Sequence, residues 1–199
     1  MLMLGLICLL ATGCFMDKPL ETTAVQGTVY QLNLKLPFAI KAEPKDMNLD
    51  PSTAVFVQKA QSCMERPTGE DLHMAEFAVN TFDQENINQS YGGADNEKVG
   101  QLYKTLGQVV TDCYIKWLTK AANMTDVSTE SKAAEIDGRE ATVTTVQCKM
   151  KGEDETLKII YINDPAESWL IALAYPKEKQ DGIGRKIDET IIPGIKLVK

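Results

Sequence analysis

The chain has 199 residues, 44% hydrophobic and 25% charged, which suits one globular domain large enough to bury a core. Its net charge of −7 comes without any Lys/Arg cluster, which argues against a nucleic acid as partner and against docking on anionic lipid through a basic patch. The single histidine, His73, excludes a multi-histidine metal centre.

Residues Met1 to Met16 carry no charge. The run Leu2 to Leu10 has the length of a signal-peptide apolar core and is too short to span a bilayer as a helix. It leads into Ala11-Thr12-Gly13-Cys14, which resembles the bacterial lipobox, where a signal peptidase cuts before a cysteine that carries diacylglycerol. The resemblance covers those four residues and the apolar run. Gly13 fits it, and Ala11 stands where Leu is usual. No Lys or Arg precedes the run, a departure that points to a start codon further upstream. The competing readings are an ordinary signal peptide and a buried N-terminal strand. The lipobox reading divides the chain into a signal peptide at 1–13, a tether at 14–26 and a single domain at 27–199. It makes Cys14 the lipidation site and the membrane a partner through the N-terminal lipid.

In the body of the chain, Val29 to Leu36 alternates, with Tyr30, Leu32, Leu34 and Leu36 on one face. That pattern predicts a half-buried strand, placed at an edge because Pro37 interrupts it. Lys41 to Pro51 reads as a polar loop. Val55 to about Met64 and Leu72 to Phe82 read as a hairpin around Arg66-Pro67-Thr68-Gly69. Asp83 to Ala94 is polar and reads as loop. Asp95-Asn96 then offers a cap for a helix of about 24 residues. Its apolar positions are Val99, Leu102, Tyr103, Leu106, Val109, Val110, Cys113, Trp117 and Leu118, which predicts one buried face. Gly100 and Gly107 lie seven apart on it and would let a strand approach closely.

Val127 to Ile136 and Glu140 to Met150 flank Asp137-Gly138, a strong hairpin signal, and Gly152-Glu153-Asp154 turns into the next strand. The most apolar stretch follows, with strands expected at Leu157–Ile162 and Ser168–Tyr175 around Asn163-Asp164-Pro165. Leu157, Ile159 and Tyr161 should oppose Ile160 and Ile162. Trp169, Ile171, Leu173 and Tyr175 should oppose Leu170, Ala172 and Ala174. Strands apolar on both faces need cover on both sides, so these should be central. Lys179 to Ile192 places Ile183, Ile187 and Ile191 on one helical stripe, ended by Pro193-Gly194. Ile195 to Leu197 closes as a short edge strand. The order predicts an α+β fold, an antiparallel β-sheet with helices packed on its faces.

Three features together resemble the PsbP-like superfamily. They are an N-terminal strand ending Leu36-Pro37-Phe38, a long middle helix, and a meander that turns at Ile136-Asp137-Gly138-Arg139-Glu140-Ala141 before an Ile-rich end. The resemblance covers about Thr28 to Lys199. It implies an α/β/α sandwich and a non-enzymatic accessory role, and it transfers no functional residue.

Few residues suggest chemistry. Cys63, Cys113 and Cys148 show neither CxxC nor zinc-like spacing and read as buried, unpaired thiols, Cys113 on the buried face of the long helix. Extracytoplasmic export would permit one disulfide among them. Cys63 and His73 face each other across the expected hairpin, so a nucleophile–base pair is the one catalytic candidate; it lacks an orienting third group. Asp46-Met47-Asn48-Leu49-Asp50 opens like a calcium loop, but Pro51 and Val57 stand where Gly and Glu are needed. The acidic groups Glu70-Asp71, Asp83/Glu85 and Glu153-Asp154-Glu155 read as solvated turns, and Trp117 and Trp169 as core. No dinucleotide, P-loop or nucleophile-elbow motif is present. The sequence therefore predicts no catalytic residue, cofactor or metal. It predicts a non-catalytic, membrane-anchored extracytoplasmic module that acts as an accessory or binds a protein partner. The alternative is a small-ligand or lipid carrier, using a cleft between the sheet and the long helix near Gly100 and Gly107.

Overall fold

The computed structural model describes residues 19–40, 43–48, 57–92 and 97–199. Cys14 with its apolar run, the Asp50 end of the acidic loop, Val55-Phe56 and the Asp95-Asn96 cap lie outside them.

Seven strands build the main sheet: β3 (Lys45–Asp46), β4 (Val57–Glu65), β5 (Met74–Phe82), β6 (Thr125–Ile136), β7 (Arg139–Met150), β8 (Glu153–Ile162) and β9 (Glu167–Pro176). They pair antiparallel in the order β3-β4-β5-β9-β8-β7-β6. β9 is therefore the middle strand, and β8 and β9 are buried along most of their length on both faces, as their two-sided apolar pattern requires. Ile160, Ile162, Trp169, Ile171, Leu173 and Tyr175 enter one core cluster. Leu157, Ile159, Tyr161, Leu170, Ala172 and Ala174 enter another on the opposite face.

Two-residue turns fix the register of the meander. Asp137 and Gly138 both take left-handed backbone, at φ 52° and 74°, and so do Lys151 and Gly152, at 54° and 87°. The β7–β8 turn is thus Lys151-Gly152, and Glu153 already belongs to β8, opposite Met150.

A second sheet, not anticipated, covers the first cluster. Its order is β1 (Glu21–Gln26), β2 (Gln31–Leu36), β10 (Lys196–Val198). Two expectations change here. The end of the expected tether is β1, because Thr23 and Val25 alternate inward within a polar frame. β2 is not an edge strand, because β1 and β10 pair with its two sides. Beside this sheet lies a helical segment, α3 (residues 177–191), which contains two wide π-type stretches, Gln180–Gly184 and Ile187–Ile191. Ile183, Ile187 and Ile191 are buried, as their spacing predicts. Gly184 lets α3 close on Tyr175, since a Cβ there would lie 2.9 Å from the phenol oxygen. Lys158 clasps the segment through Asp188 at 2.9 Å.

The opposite face carries α1 (Gln84–Tyr91) and α2 (Glu97–Ala121). α1 was expected to be loop. It is capped at its start by Asp83, which accepts from the Asn86 N–H, and at its end by left-handed Gly92, and Ile87 buries it against Phe82 and Tyr103. α2 has the expected length, but its buried line runs through Tyr103, Gly107, Thr111 and Leu118, with half-buried Tyr114 beside it. Val109, Cys113 and Trp117 fall on an exposed flank. The helix is rotated this way because Gly107 admits the Tyr161 ring and the Tyr114 hydroxyl donates to Glu76 Oε2 at 2.6 Å. The layers are therefore helices, a seven-stranded antiparallel sheet, then a small sheet with α3, an α+β sandwich.

Candidate functional site

The sequence offered one catalytic pair, and the fold separates it. Cys63 packs in the cluster on the small-sheet face. His73 instead pairs through Nδ1 with Glu155 Oε1 at 3.1 Å, and Glu155 shares the α2 face of β8 with Leu157 and Ile159. Burial pushes the Glu155 carboxyl up, offset in part by the His73 charge. Burial also pushes the thiols of Cys63 and Cys148 up to about 11, which makes both poor nucleophiles at neutral pH. Cys63, Cys113 and Cys148 are free thiols; the first and last are buried as expected, and Cys113 is exposed.

The other candidates resolve into structure. Asp46 lies in β3 and accepts from Gln61 Nε2 at 2.9 Å. Among the described residues, no three His, Cys, Asp or Glu gather to hold a metal. No described helix is long and apolar enough to cross a membrane.

Two polar networks hold the small sheet to the main one. Glu167 is 0% exposed, and its carboxylate accepts the backbone N–H of Thr28 and Val29 at 2.7 Å, that of Tyr30 at 3.2 Å, and the Thr81 hydroxyl at 3.2 Å. Gly27 makes room for it, since a Cβ would collide with this carboxylate and the Trp169 ring. The second network gives a role to the Ile136–Ala141 step. Arg139 Nε donates to Asp164 Oδ2 at 2.9 Å, and its guanidinium lies 4.9 Å from the Tyr30 ring centroid. Asp137 accepts the Leu197 N–H and the Lys196 ammonium, each at 3.0 Å. These hold its carboxyl below the usual range, the Leu197 bond most strongly.

Two features of α2 stand apart from this architecture. The first is a cleft of 370 Å³ between α2 and the outer strands, lined by Tyr103, Gly107, Ala133, Thr142, Tyr161 and Asn163. The Tyr161 and Ser168 hydroxyls are buried beside each other, and Asn163 Oδ1 is buried near them. Burial raises the Tyr161 phenol, and the neighbouring Ser168 offsets part of that rise. The expected cleft is thus present at Gly107. The second is the exposed flank. Val109 is 50% and Trp117 49% exposed, with exposed Cys113 between them at four-residue steps. Trp117 was expected in the core; Trp169, fully buried, is there. The apolar periodicity of α2 contained both stripes, and only the position of Gly107 distinguishes the one that meets the sheet.

The sequence matches no protein-family model and no curated protein. The structure is similar to LpqN of Mycobacterium tuberculosis, involved in cell envelope biogenesis, with 10% identity over 90% of this chain and 92% of that one at TM-score 0.42. It is likewise similar to a solution structure of cyanobacterial PsbP from Synechocystis, with 10% identity over 95% and 98% of the two chains at TM-score 0.42. A Pseudomonas aeruginosa protein of unknown function is similar at 12% identity over 87% and 97% of the chains, with TM-score 0.36.

Proposed function

We propose that the protein is a non-catalytic, lipid-anchored module of the bacterial envelope that docks a protein partner on the outer flank of α2. The observation that carries this reading is the exposed line Val109, Cys113, Trp117. A half-exposed tryptophan flanked by further apolar groups on a rigid helix is the composition favoured at the centre of protein interfaces. The partner presents an apolar pocket able to receive an indole. The anchor rests on Leu10-Ala11-Thr12-Gly13-Cys14, which supports acylation at Cys14 and an extracytoplasmic location.

Fatty-acid labelling in a bacterial host should load the wild-type chain and leave Cys14→Ser unlabelled. Immunoprecipitation from the same membranes should recover a defined protein with wild type. The double variant Val109→Ser/Trp117→Ser should lose it while keeping its circular dichroism spectrum. An unlabelled wild type would remove the anchor, and a partner retained by the double variant would remove the docking face. Cys63→Ala and His73→Ala strains should behave as wild type; a deletion phenotype reproduced by either would restore an enzymatic reading.

A further inference from the structure

We infer that the outer edge of β6 pairs with the same edge of a second copy of this chain, antiparallel and in one register, with Ser131 on the two-fold axis. The inference goes beyond the docking flank of α2 and shares no residue with it. β6 ends the main sheet, and among the described residues no strand pairs with its outer side. The other end of the sheet is blunted by brevity, since β3 has two residues. β6 has twelve, of which only Ile136 is buried and Ala134 half-buried. A long open edge is a template for another strand, and proteins seldom leave one unguarded. The backbone decides which of its groups are free. The Asn163 N–H donates to the Glu140 carbonyl at 2.8 Å, so the peptide groups of Glu140 face the β8 side and not β6. Glu140 lies opposite Glu135, which makes that a pair without mutual hydrogen bonds. The N–H and C=O groups of Glu135 therefore point outward, and with a period of two so do those of Ala133, Ser131 and Thr129.

Charge selects the occupant and the register. A two-fold axis runs edge strands antiparallel. With the axis at Ser131, that residue meets the partner's Ser131 and Thr129 meets the partner's Ala133, each pair exchanging both N–H···O bonds. Glu130 and Lys132 take the intervening positions, where opposed side chains come closest. They already pair with each other at 3.1 Å, and their side chains are 69% and 75% exposed. Across the axis Glu130 stands opposite the partner's Lys132, and Lys132 opposite the partner's Glu130, so four charges alternate in sign. Moving the axis by one residue sets Glu130 against the partner's Glu130, or Lys132 against the partner's Lys132, and like charges directly opposite are destabilising. A half-step between these registers opposes an outward residue to an inward one and breaks the ladder. Charges on an edge strand ordinarily repel other strands; here their spacing admits a copy of the same edge and works against others. The bulge between Thr125 and Ser128, with Asp126 at φ 52°, ends the flat stretch and bounds the pairing.

The test uses bacterial membranes holding the full chain with Cys113→Ser, whose own cross-linking sets the background. Adding Ser131→Cys brings the two Cα atoms at that position about 5.5 Å apart, and a bifunctional thiol reagent of about 6 Å reach should link the copies. Adding Thr129→Cys instead leaves its two Cα atoms about 14 Å apart and should give background only. Glu130→Lys, placed in the Ser131→Cys chain, should slow linking about tenfold, and Glu130→Lys/Lys132→Glu should restore the rate. All these positions are exposed, so the fold should tolerate each change. Val109→Ser/Trp117→Ser should leave the rate unchanged, which reads the docking flank and the strand edge separately. The inference is overturned if Ser131→Cys links no faster than background, or if Thr129→Cys links as fast. It is overturned equally if Glu130→Lys has no effect, or if the double reversal fails to restore the rate. Linkage of Ser131→Cys to a different protein in place of its own copy would assign the edge to a foreign strand and overturn it too.

Discussion

The two faces of the seven-stranded sheet are finished differently. On one, the small sheet and α3 close over Trp169, Ile171, Leu173 and Tyr175, and the buried Glu167 carboxylate is bonded on both oxygens. On the other, α2 covers Leu157, Ile159, Tyr161 and Leu170 but stops short of the outer strands. Each face has buried polar atoms, and their placement differs. Thr23, Gln147 and Trp169 stand on three different strands; on the α2 face Tyr161, Asn163 and Ser168 lie near the β8–β9 connection, the two hydroxyls beside each other, and Glu155 Oε2 lies at the far end of β8. Burial also raises two carboxyls on the α2 face, Glu76 and Glu155. The first face is committed to stability. The second carries two carboxyls raised by burial and a cleft that α2 leaves open.

The largest expected effect tests the committed face. Glu167→Ala removes a wholly buried carboxylate and leaves three backbone N–H groups without their acceptor, and should cost about 4 kcal/mol of stability. Tyr114→Phe removes the one hydrogen bond by which α2 grips Glu76 and should cost about 1–2 kcal/mol. Urea midpoints at constant slope would measure both. A larger loss for Tyr114→Phe than for Glu167→Ala would reverse the comparison.

The same contrast governs what was legible in the sequence. β8 and β9 were readable because a strand apolar on both faces has one place to go, the middle of a covered sheet. The Asp137-Gly138 hairpin was readable because its backbone needs those residue types. β1 was not, because Thr23 and Val25 are only two inward residues among polar ones. α1 was read as loop although Asp83 and Gly92 cap it, since Ile87 is the one fully buried residue among those of α1 whose side chains are described. The cleft at Gly107 was anticipated from glycine spacing alone. Tyr161 and Asn163 as its lining were not, because which side chains border a cleft is a property of packing. Cys113 and Trp117 were misplaced because α2 carries more apolar residues than one face can bury.

A mid-sized effect follows from the raised carboxyls. In the folded protein Glu76 and Glu155 hold protons above their ordinary value of 4.5, so the folded state binds more protons than the unfolded one just above that pH. Stability should therefore fall as pH rises from 4.5 through the raised values. The double variant Glu76→Gln/Glu155→Gln should flatten that slope in urea unfolding measured at closely spaced pH. Asp137, whose carboxyl is lowered from 3.8, acts with the opposite sign: its contribution is present above 3.8 and is lost in stronger acid. An equal slope in wild type and double variant would mean that the α2 face carries no such burden.

The smallest expected effect concerns the outer flank of α2, where stability and accessibility should part company. Cys113 is exposed beside Trp117, while Cys63 and Cys148 are buried with thiols raised to about 11. A maleimide applied to the native chain at neutral pH, followed by peptide mapping, should mark Cys113 within minutes and reach Cys63 and Cys148 only in urea. Trp117→Ser removes a side chain that contributes little to the core, so its unfolding midpoint should stay within about 0.5 kcal/mol of wild type. Substituting Trp169, which is wholly enclosed, should instead be severe. If Trp117→Ser were as damaging, or Cys113 as slow to label as Cys148, the flank would be covered by the chain itself. It would then belong with the committed face and could not serve as a docking surface.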